Sequence, residues 1–454
     1  MTEILRRTES ICPECFQKIP AEVVIEENEV YLRKRCDRHG PFRVRLSRKP
    51  DYYRQLNNSY FKIIPHEIPQ KDYIVRLTER CNMMCPICLA RSNERSQPDY
   101  SLDKLRAFLK RKKNYKLDLM GAEPTMRDDL FEIIEMVSAS GNIGALHTNG
   151  LKLADREYVE RLKEAGLNEV HLQFDGFDEE ANRLIRGMPL NDIHARILQN
   201  LEEFDLPTDL VVTVLRGVNE KEVGPVLDYA IAHPFVKEVF YLGCRYLGRA
   251  ISLEEDPTLM PDEVVDIFTS QRGEVVNRSQ MLNFQKAYYL LLRMFNIRKC
   301  HYIQHHLLVR TKKGVIALDK LIGIEKFNRL VNKLEAETIK HGRVPPLRAA
   351  LAGVGLALNP HLLSILKDIL KVKLSWRGGL NLSTLPRHFL LLGFISACDP
   401  YTFDYQIAPN CGKGEISEDL GVQHSGALAN VLREMLYRRE IAEKITSKNK
   451  EILP

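Results

Sequence analysis

Between residues 72 and 250 the chain alternates six times between short β-rich runs and amphipathic stretches of helical period. No other feature constrains the fold as much. Strands are expected at 73–80, 116–120, 143–147, 168–174, 208–215 and 237–243. Leu102, Leu105, Phe108 and Leu109 keep helical spacing, as do Leu130, Ile133, Ile134 and Val137. Further helices fit 156–166, 191–203 and 220–232. Six β/α units in series call for parallel strands joined by right-handed crossovers. The expected class is α/β, a partial (β/α)6 barrel, with a doubly wound sheet as the other closure.

Two regions flank this core. Residues 1–50 read as a small β-rich module. Val23–Ile25 and Val30–Leu32 flank the polar Glu26–Glu29, which suggests a hairpin, and Phe42, Val44 and Leu46 alternate with arginines. The core domain is taken as 72–250. Residues 251–454 read as a mostly helical region serving substrate or auxiliary groups, with a strand at 307–317 and a charged final helix near 426–446. It holds the single tryptophan, Trp376.

Cysteines carry the chemistry. Cys81-x3-Cys85-x2-Cys88 follows the first expected barrel strand. Thiolates are the usual ligands of a 4Fe–4S cluster, and three ligands leave one iron open. An open position marks a reactive metal site. The alternatives are a remote fourth cysteine or three free thiols. Upstream, Cys12-x2-Cys15 and Cys36-x2-His39 form two close pairs twenty residues apart, a ribbon-type tetrahedral site for zinc or a rubredoxin-like iron. Four ligands close that site, so its expected role is structural. Cys244, Cys300, Cys398 and Cys411 remain. Four is the number that closes one auxiliary 4Fe–4S cluster, while buried core cysteines are the plain alternative.

"CNMMCPIC" resembles the Cys-x3-Cys-x2-Cys motif of the radical S-adenosylmethionine (SAM) superfamily. "LMGAEPT" at the second strand end resembles that family's Gly-Gly-Glu-Pro stretch. "HTNG", "LQFDG" and "TVLRGVN" end the next three strands, where β/α barrels assemble their sites. The resemblance implies that the cluster on Cys81, Cys85 and Cys88 binds SAM at its open iron and cleaves it reductively, so that hydrogen is taken from an unactivated carbon. It assigns SAM contacts to Ile87, Gly121, Ala122, Glu123, Pro124, Asn149, Gln173 and Asn219. Gly121 and Ala122 would allow close backbone approach, and Glu123 would meet the methionyl ammonium. Asn149, Gln173 and Asn219 would supply neutral hydrogen bonds. Ala122 stands where a second glycine is usual, and Ile87 where many members have an aromatic. Asp175 and Arg186 are weaker candidates.

The N-terminal module together with "GAEPTMRDDL" and "HTNGLKLAD" is similar to the group containing tetraether lipid synthase and the class D methylases. That resemblance implies C–C bond formation or methylation on a lipid or pterin-like substrate, auxiliary 4Fe–4S clusters, and a reductant such as ferredoxin or flavodoxin. Other readings are a radical SAM enzyme acting on a peptide or RNA, and a non-catalytic iron–sulfur carrier or sensor.

The net charge of +6 is modest for 454 residues, so nucleic acid is not an expected partner. Met1–Ser10 is polar, and the longest apolar run, Ala349–Leu358, is half of the roughly 20 residues a bilayer span needs. A cytoplasmic protein is expected. Residues 347–371 read either as core helices or as an apolar wall for a lipid, with peripheral membrane contact. His301 and His305 are placed on one helix face beside His306.

Overall fold

A computed structural model describes residues 2–64, 68–94, 97–301, 303–311, 314–345, 386–396, 398–418 and 424–452. The 347–371 segment and Trp376 lie outside the described residues.

The N-terminal module is a four-stranded antiparallel meander, β1 (Glu3–Ile11), β2 (Lys18–Glu26), β3 (Glu29–Cys36) and β4 (Gly40–Ser47). The β2–β3 turn places Glu27 and Asn28 at φ 52° and 61°. Two positive φ values in succession match the right-handed twist of the flanking strands. Val23, Val30 and Leu32 fill the core of the module with Leu46 and Tyr53.

The barrel strands follow: β5 (Asp72–Arg76), β6 (Lys116–Met120), β7 (Ile143–Thr148), β8 (Glu169–Gln173), β9 (Thr208–Val214) and β10 (Val236–Gly243). They pair in parallel and in chain order. A doubly wound sheet would reverse its strand order at a switch point; this one does not, so a partial barrel results. The intervening helices Leu102–Arg111, Leu130–Ala139, Arg156–Glu164, Asn191–Glu203 and Val223–Ala232 bury their apolar stripes in one continuous core. Local signals start Arg156–Glu164 and the additional short helix Glu179–Arg186. Asp155 accepts from Glu157 N–H, and Asp178 accepts from Glu180 and Ala181 N–H, as N-caps do.

The first strand ends at Arg76, four residues earlier than its apolar run suggests. The region after residue 250 is helical at Pro261–Arg272, Arg278–Phe295, Ile324–His341 and Gly426–Ile452. It also adds strands that were not expected. β13 (Phe389–Ser396) runs parallel to β10, and β11 (Gln304–Thr311) and β12 (Gly314–Ala317) continue beyond it antiparallel. On the opposite edge β14 (Gly414–Ile416) joins β5, followed by β15 (His424–Ser425). The single strand foreseen at 307–317 is therefore a hairpin. His305 and His306 lie on β11 rather than on a helix, and His301 is packed against Tyr60 in the turn before it. Among the described residues no helix is long and apolar enough to cross a membrane.

Candidate active site

Inward positions alternate along a strand, so each barrel strand offers every second side chain to the lumen. The lumen is a cavity of about 450 Å³. Cys81, Cys85 and Cys88 line its mouth with Ile87, Gly121, Ala122, Glu123, Asn149, Gln173 and Cys244.

The chain after β5 leaves strand pairing and folds back over the second strand end. Ala122 N–H donates to Thr78 O (2.8 Å) and Glu123 N–H to Arg80 O (2.9 Å). A Cβ at Gly121 would stand 2.4 Å from Thr78 O. The glycine is thus required by backbone packing immediately before Cys81. Glu123 is 1% exposed and fully engaged on one oxygen. Its Oε1 accepts from Thr125 N (3.1 Å), Thr125 Oγ1 (2.7 Å) and Thr148 Oγ1 (2.8 Å), while Oε2 accepts from Asn149 N (2.7 Å). Burial pushes its carboxyl up, against those hydrogen bonds. The residue staples the ends of β6 and β7. Oε2 keeps capacity for one more donor.

The cysteine loop is held from the far side of the barrel. Arg249 donates from N to Cys88 O (3.0 Å) and from its guanidinium to Cys85 O (3.1 Å), and pairs with Glu94 (2.5 Å). Gly248, at φ 63°, would meet Cys88 O at 2.3 Å if it carried a Cβ. The sequence alone singles out neither residue; "LGR", separated by three residues from the end of the sixth strand, is the local hint. Arg186 is bound to Asp175 through Nε (2.5 Å) and its terminal nitrogen (3.1 Å), and its charge stands beside Cys85.

The donor set fits a cluster. Burial pushes the Cys81 thiol up to about 11 and raises that of Cys85 as well. Such thiols are poor free nucleophiles, whereas metal binding deprotonates a thiol outright. Met83 N–H points at Cys81 Sγ (3.4 Å) and Ser92 N–H at Cys88 Sγ (3.5 Å), contacts that suit thiolate ligands. One ion needs a compact set of ligand atoms, whereas a multi-iron group spreads its thiolates.

The ribbon differs. Cys12, Cys15, Cys36 and His39 do form such a compact set. Cys15 and Cys36 Sγ are 3.8 Å apart, and His39 Nδ1 lies 3.6 Å from Cys12 Sγ and 3.5 Å from Cys36 Sγ. A tetrahedron with metal–sulfur bonds of ~2.3 Å has edges of about 3.8 Å, so one ion fits.

Two residues assigned as SAM contacts, Asn219 and Pro124, do not line the cavity. Asn219 is fully buried. Its Nδ2 donates to Asp175 O (3.0 Å) and Thr213 O (2.9 Å), and its Oδ1 accepts from Leu215 N (2.9 Å). It clamps the loop after β9 to the loop after β8. Pro124 is likewise buried off the cavity, opening the turn Pro124–Met126. Asn219→Ala leaves three buried backbone groups unmet at about 1–3 kcal/mol each. Thermal unfolding of this variant is expected at distinctly lower temperature, with the SAM affinity of the folded fraction little changed.

The four spare cysteines do not assemble together. Cys244 packs beside Ile87, Ile185 and Leu215. Cys300 packs with Cys398, Ile303 and Ile407, and Cys398 shares a second apolar cluster with Cys411. Burial, then the neighbouring Cys300 and Cys411, raise the Cys398 thiol. Three cysteines converge and the fourth stands at the cavity mouth.

Comparisons with known proteins agree with this layout. The family description "Radical SAM superfamily" matches residues 75–230, and "HMPTM N-terminal zinc ribbon domain" matches residues 4–48. A 7,8-dihydro-6-hydroxymethylpterin dimethyltransferase of Methanocaldococcus jannaschii is 26% identical over 89% of this chain and 90% of its own. A probable GTP 3′,8-cyclase of Pyrococcus abyssi is 28% identical over 36% of this chain and 53% of its own. An Fe-coproporphyrin III synthase of Methanosarcina barkeri is 29% identical over 39% and 47%. The shared part of the last two is about half of each relative, whereas the first is matched over about nine-tenths of both chains. With the three-cysteine loop at the barrel mouth, these findings make the chain a member of the radical SAM superfamily and a radical SAM enzyme.

Proposed function

We propose that this enzyme forms C–C bonds, most simply by methylation, on a pterin-like small molecule. The observation that carries the reading is the similarity to the M. jannaschii pterin dimethyltransferase over nearly the whole of both chains. The lumen supports it. Beneath the cysteines it is lined by Lys116, Asp118, His171, Asp209 and Glu238, which would be costly to desolvate against an acyl chain. A polar heterocycle suits that lining better than a lipid.

In this reading Cys81, Cys85 and Cys88 would hold a 4Fe–4S cluster beside the SAM-binding wall. Bound there, the group supplies an electron and, through cleavage of SAM, an oxidant able to take hydrogen from an unactivated carbon. The chain does the positioning. Arg249 and Gly248 fix the cysteine loop, and Glu123 fixes the two loops facing it. Oε2 of Glu123 is placed for one ligand N–H donor. Ile87, Gly121, Ala122, Asn149 and Gln173 form the remaining SAM wall, with Ile87 as an apolar face for adenine. Zinc in the ribbon fits the Cys3His donor set. Cys300, Cys398 and Cys411 would carry an auxiliary cluster, without Cys244. Electrons come from an external low-potential reductant of ferredoxin or flavodoxin type.

The test is anaerobic incubation of the iron–sulfur-loaded protein with SAM, a low-potential reductant and 7,8-dihydro-6-hydroxymethylpterin. Mass spectrometry should find a methylated pterin, 5′-deoxyadenosine from the SAM that takes the hydrogen, and S-adenosylhomocysteine from a second SAM, whose methyl joins the carbon radical with one further electron from the reductant. Formation of 5′-deoxyadenosine with an unaltered pterin would defeat the substrate assignment and leave the superfamily chemistry standing.

A further inference from the structure

Below the cysteine loop, ionisable side chains stand in lateral register across four strands. His147 on β7 pairs with His171 on β8, His171 with Asp209 on β9, and Asp209 with Glu238 on β10. Most of this belt is internally balanced. His171 sits between Asp209 (2.7 Å from Nδ1) and Glu169 (3.1 Å from Nε2). Lys116 pairs with Glu169, and Lys413 bridges Asp72 (2.7 Å) and Asp118 (2.5 Å).

Among the described residues Asp118 Oδ1 and His147 Nε2 are buried without a hydrogen-bond partner, and Glu238 makes no close ion pair. Glu238 is 7% exposed and lines the cavity. Among the described residues its nearest ion-pair partner is His305 Nε2 at 3.9 Å, beyond hydrogen-bond reach. Next to it, Asp209 Oδ1 and His305 Nδ1 are buried without a hydrogen-bond partner among the described residues. Buried polar groups are normally satisfied, so unmet acceptors gathered on one cavity wall point to a ligand.

We propose that Glu238 reads the 2-amino-4-oxopyrimidine edge of the substrate, accepting from the ring N3–H and the exocyclic amine with its two oxygens. This rests on the pterin reading above. The two N–H groups are parallel and adjacent, the same match a carboxylate makes with a guanidinium fork. The surroundings suit a flat ring. Phe240, two residues along β10, also lines the cavity, as does Tyr288. Opposite Phe240 on β13 is Gly393, where a Cβ would lie 2.3 Å from the Phe240 ring and 3.1 Å from Glu238 Oε1. That glycine leaves room for both side chains. A metal ion at Asp118, His147 and His171, whose ligand atoms lie within 4.8 Å, is a weaker occupant. Lys413 already neutralises Asp118, Lys116 Nζ stands 3.5 Å from His171 Nε2, and both His171 nitrogens are engaged.

Burial and then Asp209 push the Glu238 carboxyl up to about 8, against His171, Lys116 and Lys299. Facing it from β11, His305 is driven down to about 3 by burial and stays neutral. From the Arg278–Phe295 helix, Tyr288 is raised by burial and also stays neutral. Near pH 7 the free carboxyl therefore holds a proton. Two N–H donors favour the carboxylate, so ligand binding expels that proton.

The experiment is anaerobic calorimetry on the full-length, cluster-loaded protein. Two probes are titrated, 7,8-dihydro-6-hydroxymethylpterin and the corresponding dihydrolumazine, with oxygen in place of the 2-amino group. Wild type should prefer the pterin by at least about tenfold and release a proton, read from buffers of different ionisation enthalpy. Glu238→Gln can donate to the lumazine oxygen, so the preference should vanish or invert and proton release should stop. A folded Glu238→Gln that keeps the wild-type ratio would overturn the proposal. So would wild-type binding without proton release, which needs no variant. Binding of neither pteridine by wild type would instead overturn the pterin reading itself.

Discussion

Replacing Cys81, Cys85 and Cys88 together by alanine is expected to bring 5′-deoxyadenosine formation down to the protein-free level. The fourth described thiol at the cavity mouth, Cys244, packs beside Ile87, Ile185 and Leu215 and lies outside the Cys81–Cys88 loop. The loop itself should keep its shape, because Arg249 binds its carbonyls at Cys85 and Cys88 rather than its sulfurs. The variant also isolates any second cluster. On iron-57-loaded protein, a cubane Mössbauer signal surviving the triple substitution belongs to Cys300, Cys398 and Cys411, and adding Cys398→Ala should remove it. Loss of every cubane signal in the triple variant would mean that those three cysteines are a packed apolar cluster and nothing more.

The second large effect is expected in the ribbon. Cys36→Ser should lower bound metal below one ion per chain and unfold residues 3–47. A structural zinc site contributes ~10–16 kcal/mol of apparent binding energy, comparable to or larger than the whole stability of a typical domain at ~5–15 kcal/mol. The ribbon core of Val23, Val30, Leu32 and a few neighbours is too small to replace it. The damage should spread. Buried Lys34 donates to Ser10 Oγ (3.0 Å) and Ile11 O (2.8 Å) within the ribbon, and to Pro400 O (2.7 Å) and Tyr401 O (2.8 Å) outside it. Thr8 Oγ1 donates to Asp404 (2.7 Å) and Ser10 Oγ to Phe403 O (2.5 Å). The ribbon is thus a strut for the segment that carries Cys398 and Cys411. Hydrogen exchange should accelerate in both 18–47 and 398–411. Native protection of 18–47 in metal-free Cys36→Ser would show that the ion is dispensable.

Much of the fold was legible because periodicity is local. The helix at 191–203 and the strand at 116–120 fall on the expected residues, since each alternates or repeats over its own length. The edges were not legible. β13 and β14 are short runs whose partners, β10 and β5, lie more than a hundred residues away. His301 and His305 have helical spacing, but β11 is a strand because His305 pairs with Gly393 on β13. The lumen belt was missed for a related reason. In "KLDLM" and "EVHLQ" the alternation of polar and apolar residues reads as a solvent face, and an inward polar face looks the same in sequence. Asn219 ends a strand motif, which suggests a ligand contact from sequence alone, and in the fold its amide engages three backbone groups. The cysteine sets were legible because metal geometry leaves a fixed spacing in the chain.

The central claim is that this site takes hydrogen from a pterin-like substrate. It is tested most directly by deuterium transfer. With dihydropterin deuterated at its sp3 carbons, unlabelled SAM and anaerobic reductant, the account predicts deuterium in the 5′-deoxyadenosine, and none with the triple cysteine variant. Robust 5′-deoxyadenosine formation that never acquires the label, at saturating pterin, would contradict it.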